Sequence, residues 1–151
     1  MKFRIRNFMK KDLNECTKII EVGLGTKDAE YARVDFLEGI CPKTNEYSFL
    51  KRRVVLIEDK IVGICGPYQL ATHPKEYTGI CWYAVLPEFR NKGIGTALLR
   101  DCEKIAKKKE YRKLFVWATK EALGFYIKNN FKKSNKKLKP KETNILLLKN
   151  I

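Results

Sequence analysis

The stretch that decides the fold is Arg90-Asn91-Lys92-Gly93-Ile94-Gly95-Thr96, a basic turn that contains two glycines. A continuous apolar and aromatic run over residues 80–86 precedes it and is typical of a strand buried on both faces. After the turn, apolar residues recur at helical spacing with charged residues between them. The sequence therefore predicts a strand, a tight turn and an amphipathic helix in this order.

The same turn has the composition of an anion site. Gly93 and Gly95 let the backbone approach a ligand without a Cβ in the way, and the first N–H groups of the following helix have no acceptor within it. The spacing is neither G-x-x-x-x-G-K-[ST] nor G-x-G-x-x-G, which disfavours a nucleoside triphosphate or a dinucleotide. The turn predicts another phosphate-bearing ligand.

Length and composition indicate one ordinary globular domain over residues 1–151, with 44% hydrophobic and 32% charged residues. No apolar run approaches the roughly 20 residues of a membrane span, and the first residues lack the pattern of a signal peptide. We therefore expect a cytoplasmic location and no membrane contact. Five scattered cysteines and a single histidine argue against a zinc site or a Ser-His-Asp arrangement, so no metal is predicted.

The formal net charge is +15, and the lysines cluster in two places. One cluster, residues 107–109, closes the helix after the turn, where cations favour the helix dipole. The other is a lysine-rich segment over residues 132–141. Such a field attracts a phosphorylated cofactor, an acidic substrate or a nucleic acid, and charge alone does not choose among them.

The remaining elements follow from periodicity and breakers. Asp12 followed by Glu15 predicts a helix start, and Gly23 and Gly25 predict its end. A second helix is expected over residues 28–38, with apolar positions at Ala29, Ala32, Val34, Phe36 and Leu37. The other predictions are strands at 2–6, 80–86, 114–118 and 144–149, a hairpin of 53–57 with 61–65, a loop at 67–75, and a helix at 120–129.

Two motifs at the expected separation make the chain resemble the GNAT superfamily of acyl-CoA-dependent N-acyltransferases over nearly its whole length. Tyr83-Ala84-Val85-x-Pro87-Glu88-x-Arg90-x-x-Gly93-x-Gly95 is similar to the family signature R/Q-x-x-G-x-G/A after a strand. Ala122-x-x-Phe125-Tyr126-x-x-x-x-Phe131 is similar to the family helix A-x-x-F-Y-x-x-x-G-F, with Asn130 in place of the glycine. The resemblance implies an α/β (α+β) fold: a central mixed, mostly antiparallel sheet of about six to seven strands, splayed at the middle and flanked by about four helices.

The resemblance also implies acetyl-CoA as co-substrate and a set of residues that bind it. Backbone N–H groups of Asn91, Lys92, Gly93, Ile94, Gly95 and Thr96 would hold the pyrophosphate, with positive charge from Arg90 and Lys92. The pantetheine arm would pair with the strand edge at Ala84 and Val85. Thr119 stands where many members have asparagine, at a cofactor or helix-cap contact that threonine can also make.

The implied reaction is transfer of an acetyl group to a primary amine by direct attack in a ternary complex. A backbone N–H near Tyr83 or Ala84 would stabilise the oxyanion, and Tyr126 would protonate the departing sulfur. The alternative for Tyr126 is a core aromatic residue. Residues 78–82 offer no carboxylate, so the general base stays open among Glu76, His73, Glu30 and a water relay. Cys81 is predicted to be a buried thiol and not a nucleophile.

The acceptor is not identified by any motif, and a small-molecule amine and a protein amine both stay open. Tyr31, Phe36, Tyr68 and Tyr77 would serve an aromatic lining or a core equally well. The alternative function is a basic nucleic-acid-binding or ribosome-associated module that keeps the fold, because of the net charge and the lysine-rich segment. Exposed sheet edges make a homodimer plausible in this family.

Overall fold

The computed structural model describes residues 2–40, 47–135 and 144–151. Its strands are β1 (Arg4–Asn7), β2 (Tyr47–Leu50), β3 (Arg53–Ile57), β4 (Lys60–Leu70), β5 (Tyr77–Val85), β6 (Lys113–Ala118), β7 (Lys132–Lys133) and β8 (Ile145–Asn150). Its helices are α1 (Leu13–Leu24), α2 (Thr26–Ile40), α3 (Ile94–Lys108) and α4 (Leu123–Lys128). In the described part of the chain, no helix has the length and apolar character needed to span a membrane.

All eight strands form one sheet in the order β1-β3-β4-β5-β6-β8-β7, with β2 pairing with β4. Every pair is antiparallel except β5 with β6, which is parallel. The predicted fold class is confirmed, and the sheet has more strands than the six to seven expected. The two strands missed by the sequence pattern are β2, with four residues, and β7, which with two residues is too short to show a period.

The sheet splays between β5 and β6. These strands pair only where residues 77–79 face residues 113–115, although β5 continues to Val85 and β6 to Ala118. Gly79 occupies the last paired position, where a Cβ would lie 2.4 Å from the Tyr68 ring and 2.6 Å from the Phe115 ring. Beyond this point the strands diverge and leave a gap in the middle of the sheet.

A bulge in β5 lies beside the gap. The register pairs Gly66 with Cys81 and Ile64 with Ala84, so Trp82 and Tyr83 together face Cys65 alone. Trp82 has a φ of +49°, a left-handed conformation that is unusual for an aromatic residue. The bulge bends β5 and disturbs its ladder with β4 at this point.

The hairpin prediction ended its second strand too early. β4 runs through Gly66 and Pro67 to Leu70, where a loop was expected. Pro67 is tolerated because β3 pairs with β4 only up to Cys65 and β2 begins to pair at Tyr68, so the missing N–H falls between the two partners. Its carbonyl still accepts a hydrogen bond from the Lys51 N–H at 3.0 Å.

Helices cover both faces of the sheet. One core contains α3 and α4, with Leu98, Cys102 and Tyr126, and the other contains α1 and α2, with Ile20 and Phe36. In α2 the buried stripe is Ala29, Ala32 and Phe36, whereas Val34 and Leu37 lie off this stripe and are exposed.

The helix start predicted at Asp12 is observed one residue later, but the Asp12 side chain does not cap it. The carboxylate accepts hydrogen bonds from Arg6, at 2.6 and 2.9 Å, and from the Met9 N–H, at 2.8 Å. Asp12 therefore ties the end of β1 to the beginning of α1.

Candidate functional site

The basic turn has a left-handed backbone at two positions. Asn91 and Gly93 have φ values of +59° and +78°, and Gly93 directly precedes α3. A Cβ at Gly93 would meet no atom within 4 Å, so the space beside Gly93 is open. The first turn of α3 contains no acidic residue. This helix start can therefore bind an anion through its free N–H groups.

The two basic residues of the turn bind backbone carbonyls that precede it, at the end of β5 and just after it. Arg90 donates from Nε to the carbonyl oxygen of Val85 at 2.9 Å. Lys92 donates from Nζ to the carbonyl oxygen of Glu88 at 2.8 Å. The Arg90 guanidinium lies near Gly23 of α1, and the Lys92 ammonium lies over the Phe89 ring, 5.5 Å from its centroid.

Close packing around Gly95 leaves no room for a side chain, which the sequence did not suggest. A Cβ there would lie 2.9 Å from the Tyr83 hydroxyl oxygen and 3.3 Å from the Phe125 ring. The Tyr83 hydroxyl donates a hydrogen bond to the Gly95 carbonyl at 2.5 Å. The first turn of α3 is thereby fixed to the bulge of β5.

A cavity of about 890 Å³ occupies the gap between β5 and β6, within the usual size range of small-molecule sites. Residues from both faces of the sheet line it, and most of them are aromatic or apolar. They are Leu24, Lys27, Asp28, Tyr31, Tyr68, Ile80, Cys81, Trp82, Tyr83, Trp117, Ala118, Thr119, Ala122, Tyr126 and Asn144.

Tyr126 lines this cavity while its ring packs in the core. The side chain is only 6% exposed and contacts the rings of Tyr83, Phe125 and Phe131 at centroid distances of 5.9, 5.2 and 5.4 Å. Its hydroxyl makes no hydrogen bond within the described residues, and burial raises the pKa of Tyr126 well above the usual tyrosine value. The ring of Tyr126 is thus a core aromatic group, as the alternative interpretation expected. Its hydroxyl remains free for a ligand.

The other predicted residues are distributed as follows. Ala84 and Val85 are buried, and their side chains belong to the two cores, so only their backbone groups are available at the strand edge. Thr119 lines the cavity, and its hydroxyl oxygen accepts a hydrogen bond from the Ala122 N–H at 3.4 Å, ahead of α4. Asn130 has a φ of +67°, the left-handed conformation for which asparagine is the best substitute for glycine.

None of the three residues proposed as a general base lines the cavity. Glu76 is exposed and forms an ion pair with Lys113 at 3.3 Å. His73 accepts a hydrogen bond at Nδ1 from the Leu70 N–H, and partial burial lowers its pKa. Glu30 is exposed on α2. Sequence reasoning missed Asp28, which does line the cavity, because an acid in the first turn of a helix carries no special signal.

Of the four aromatic residues considered for the lining, Tyr31 and Tyr68 line the cavity, whereas Phe36 and Tyr77 belong to the cores. Trp82 and Trp117 complete the aromatic lining. The Trp82 indole N–H donates to Asp35 of α2, which fixes the ring at the bulge.

Cys81 lines the cavity as a protonated thiol. Burial raises its pKa to about 11, although Arg52 Nη1 lies 3.1 Å from the sulfur. A thiol with this pKa is a poor nucleophile near neutral pH. The prediction of a buried thiol is only partly right, because Cys81 is half-buried at the cavity wall.

Gly93 allows a direct test of the turn. Because its φ is +78°, we expect Gly93→Ala to lower the free energy of unfolding by about 1–2 kcal/mol, and Gly93→Asn to lower it less, since asparagine tolerates this conformation. Urea denaturation measures the difference. Gly124→Ala is the matched control: it adds a methyl group in open space within α4, so it should stabilise the protein. Equal losses for alanine and asparagine at position 93 would contradict the backbone explanation.

The lysine-rich segment is only partly described. Lys132 and Lys133 form β7 with exposed side chains, whereas residues 136–143 lie outside the described residues. The nucleic-acid interpretation stays a prediction. Within residues 2–40, 47–135 and 144–151, no three His, Cys, Asp or Glu side chains gather as a metal ligand set.

Comparison with solved structures gives the same fold. The PaiA N-acetyltransferase of Thermoplasma acidophilum, in complex with coenzyme A, is 18% identical, with a TM-score of 0.81 over 100% of both chains. Ard1 of Thermoplasma volcanium is 19% identical, with a TM-score of 0.75 over 100% of this chain and 99% of that one. The ribosomal-protein-S18-alanine N-acetyltransferase of Escherichia coli is 14% identical, with a TM-score of 0.73 over 99% and 94%.

At these identities, the likeness shows the fold alone. A search of curated proteins finds no match to the chain. The model of the Acetyltransferase (GNAT) family, however, matches residues 9–131, which include the strand, the turn, α3 and the tyrosine helix. The chain therefore belongs to the GNAT acetyltransferase family.

Proposed function

We propose that this protein transfers an acetyl group from acetyl-CoA to a primary amine by direct attack in a ternary complex, with residues 1–151 acting as one N-acetyltransferase domain. One observation carries the proposal: the Tyr83 side chain lines the cavity and its hydroxyl binds the Gly95 carbonyl in the first turn of α3. Tyr83 thus connects the helix start that can bind an anion with the cavity that would hold the reacting groups. The complex of the similar PaiA N-acetyltransferase with coenzyme A supports the choice of donor.

The residues present fit coenzyme A. The open, acid-free helix start behind Gly93 suits the pyrophosphate, with Asn91, Lys92, Ile94, Gly95 and Thr96 offering backbone N–H groups. The β5 edge from residue 80 to residue 84 has no pairing with β6, so its backbone groups are available to an extended, amide-bearing arm, whereas the Val85 carbonyl already accepts from Arg90. Thr119 and Ala122 line the opposite wall. Acetyl-CoA supplies the acetyl group as an activated thioester.

Two groups of the chain would act on the reacting atoms. The bulge at Trp82 and Tyr83 disturbs the ladder with β4, and we expect a backbone N–H near Tyr83 or Ala84 to stabilise negative charge on the acyl oxygen. Tyr126 would donate its proton to the departing sulfur. Because burial raises the pKa of Tyr126, the phenol is protonated at neutral pH and has a proton to offer to the sulfur.

The proton of the attacking amine leaves through water in this proposal. Glu76, His73 and Glu30 do not line the cavity, which favours the water relay among the alternatives. The cavity also contains Asn144 and Thr119, whose polar side chains can hold such a water.

The first test is binding and turnover with the purified protein. We expect acetyl-CoA, but not ATP, to raise the melting temperature in a saturable way, because only a ligand that binds the folded state stabilises it. Release of coenzyme A should then depend on an added amine. A reagent that reacts with the free thiol of coenzyme A measures this release. Specific RNA binding with a steep salt dependence, together with no effect of acetyl-CoA, would instead favour the basic binding module.

A further inference from the structure

We propose that Tyr83 is a positioning residue for the acetyl donor. Its hydroxyl fixes the first turn of α3 and strengthens an N–H group there that would bind the pyrophosphate of acetyl-CoA. This inference rests on the proposed acetyl transfer and assigns one further residue to the same site. It depends on one hydrogen bond, on the peptide unit that accepts it, and on the rings that hold Tyr83 in place.

The hydroxyl of Tyr83 is held in one position. It donates to the Gly95 carbonyl at 2.5 Å, and its oxygen leaves no room for a Cβ at Gly95. The Tyr83 ring contacts the rings of Phe125 and Tyr126 at centroid distances of 5.4 and 5.9 Å. Burial raises the pKa of Tyr83 well above the usual tyrosine value, so the phenol stays protonated and can donate at neutral pH.

The carbonyl that accepts this bond shares its peptide unit with the Thr96 N–H. Thr96 is the third residue of α3, so its N–H is among those that have no acceptor within the helix. A hydrogen bond accepted by the carbonyl of a peptide unit polarises that unit and makes its N–H a stronger donor. Tyr83 would therefore act on a bound anion through Thr96.

The same bond ties the first turn of α3 to β5. In an α-helix the Gly95 carbonyl already accepts from the N–H four residues later, so the Tyr83 hydroxyl is an additional partner. Gly93, which precedes the helix, provides no side-chain cap. Because the tie exists before a ligand arrives, the N–H groups of this turn need less ordering when an anion binds.

The geometry also separates the role of Tyr83 from that of Tyr126. Both residues line the cavity. The hydroxyl proton of Tyr83 is engaged by Gly95, whereas the Tyr126 hydroxyl makes no hydrogen bond within the described residues. Two tyrosines in contact would thus have different tasks: Tyr83 in donor binding and Tyr126 in proton transfer.

The test compares Tyr83→Phe with the wild type, by titration with coenzyme A and by kinetics with an amine that the wild type accepts. We expect the dissociation constant of coenzyme A to rise about 3- to 10-fold, the value of one hydrogen bond, and kcat at saturating acetyl-CoA to stay within about twofold. Pantetheine, which lacks the pyrophosphate, should inhibit both proteins equally. A general loosening of the cavity would instead weaken both ligands.

Gly95→Ala tests the bond from its other end. The added Cβ would lie 2.9 Å from the Tyr83 hydroxyl oxygen and 3.3 Å from the Phe125 ring, so the hydroxyl must move. We expect Gly95→Ala to weaken coenzyme A binding at least as much as Tyr83→Phe does. In the Tyr83→Phe background the hydroxyl is absent, so adding Gly95→Ala should cost less affinity than it costs in the wild type. Losses that simply add would contradict the proposed coupling and overturn the inference.

Tyr111→Phe is the matched control, because its hydroxyl donates to Gln69 at 3.0 Å and Tyr111 does not line the cavity. Its affinity for coenzyme A should equal that of the wild type, and thermal melting verifies that each variant is folded. A Tyr83→Phe variant that binds coenzyme A as tightly as the wild type overturns this inference while acetyl transfer itself stands.

A Tyr83→Phe variant whose kcat falls about 100-fold at unchanged affinity also overturns the inference, since Tyr83 would then be the proton donor. If the wild type binds neither coenzyme A nor acetyl-CoA, the proposed function and this inference fail together.

Discussion

Tyr126→Phe is expected to lower kcat by about 100-fold or more while acetyl-CoA binds with nearly the same dissociation constant. The substitution removes one hydroxyl from a side chain whose ring is held by three aromatic neighbours, so the core should remain intact. The lost group is a proton donor with a raised pKa that makes no hydrogen bond to any described residue. Steady-state kinetics and equilibrium titration of acetyl-CoA separate the two effects.

Tyr111→Phe provides the matched control. Tyr111 is half-buried and donates its hydroxyl hydrogen to Gln69 at 3.0 Å, away from the cavity. Its variant should keep the wild-type kcat. If Tyr126→Phe were as active as Tyr111→Phe, the tyrosine would have only a packing role, and water would have to protonate the sulfur.

Asp35→Asn is expected to lower the free energy of unfolding by about 3–5 kcal/mol, because it leaves the buried guanidinium of Arg52 without its counter-charge. The Arg52 side chain is 4% exposed and that of Asp35 is 14% exposed, and their charged atoms lie 2.5 Å apart. Asp35 also accepts hydrogen bonds from Tyr47 and from the Trp82 indole. Arg52 Nε already has no partner among the described residues, so the arginine cannot compensate locally.

Urea denaturation of a short variant series measures this effect. Asp59→Asn is the reference, since the Arg4–Asp59 pair lies in solvent, with Asp59 98% exposed, and its loss should leave the unfolding midpoint unchanged. Adding Arg52→Met to Asp35→Asn should recover part of the stability, because no unpaired charge remains buried. A single Asp35→Asn variant as stable as Asp59→Asn would show that Arg52 is solvated.

Sequence alone was sufficient for elements whose local pattern agrees with their environment. The turn at residues 90–96 was predicted because two glycines stand between a continuous apolar run and a regular helical apolar stripe, which form β5 and α3. Asn130 likewise has the backbone conformation that its position after a helix predicts. In these places, residue type and three-dimensional role are fixed within a few positions of the chain.

Sequence was insufficient where partners come from distant segments. Asp35 looks like a solvated helix residue, and only the fold brings Arg52, Tyr47 and Trp82 to it. Asp28 and Trp117 are 89 residues apart, and no local pattern relates them, although both line the cavity. The extension of β4 through Pro67 was missed for the same reason, because the tolerance of that proline depends on where β3 ends and β2 begins.

The gap between β5 and β6 also bears on solubility. Unpaired strand edges normally invite strands from other chains and so promote aggregation. Here the unpaired edge of β5 lies in the middle of the sheet, beside a cavity whose walls include residues of α2 on one face and Tyr126 of α4 on the other. Because helices pack on both faces of the sheet, we expect this edge to be harder for a strand of another protein to reach than the outer strands β1 and β7.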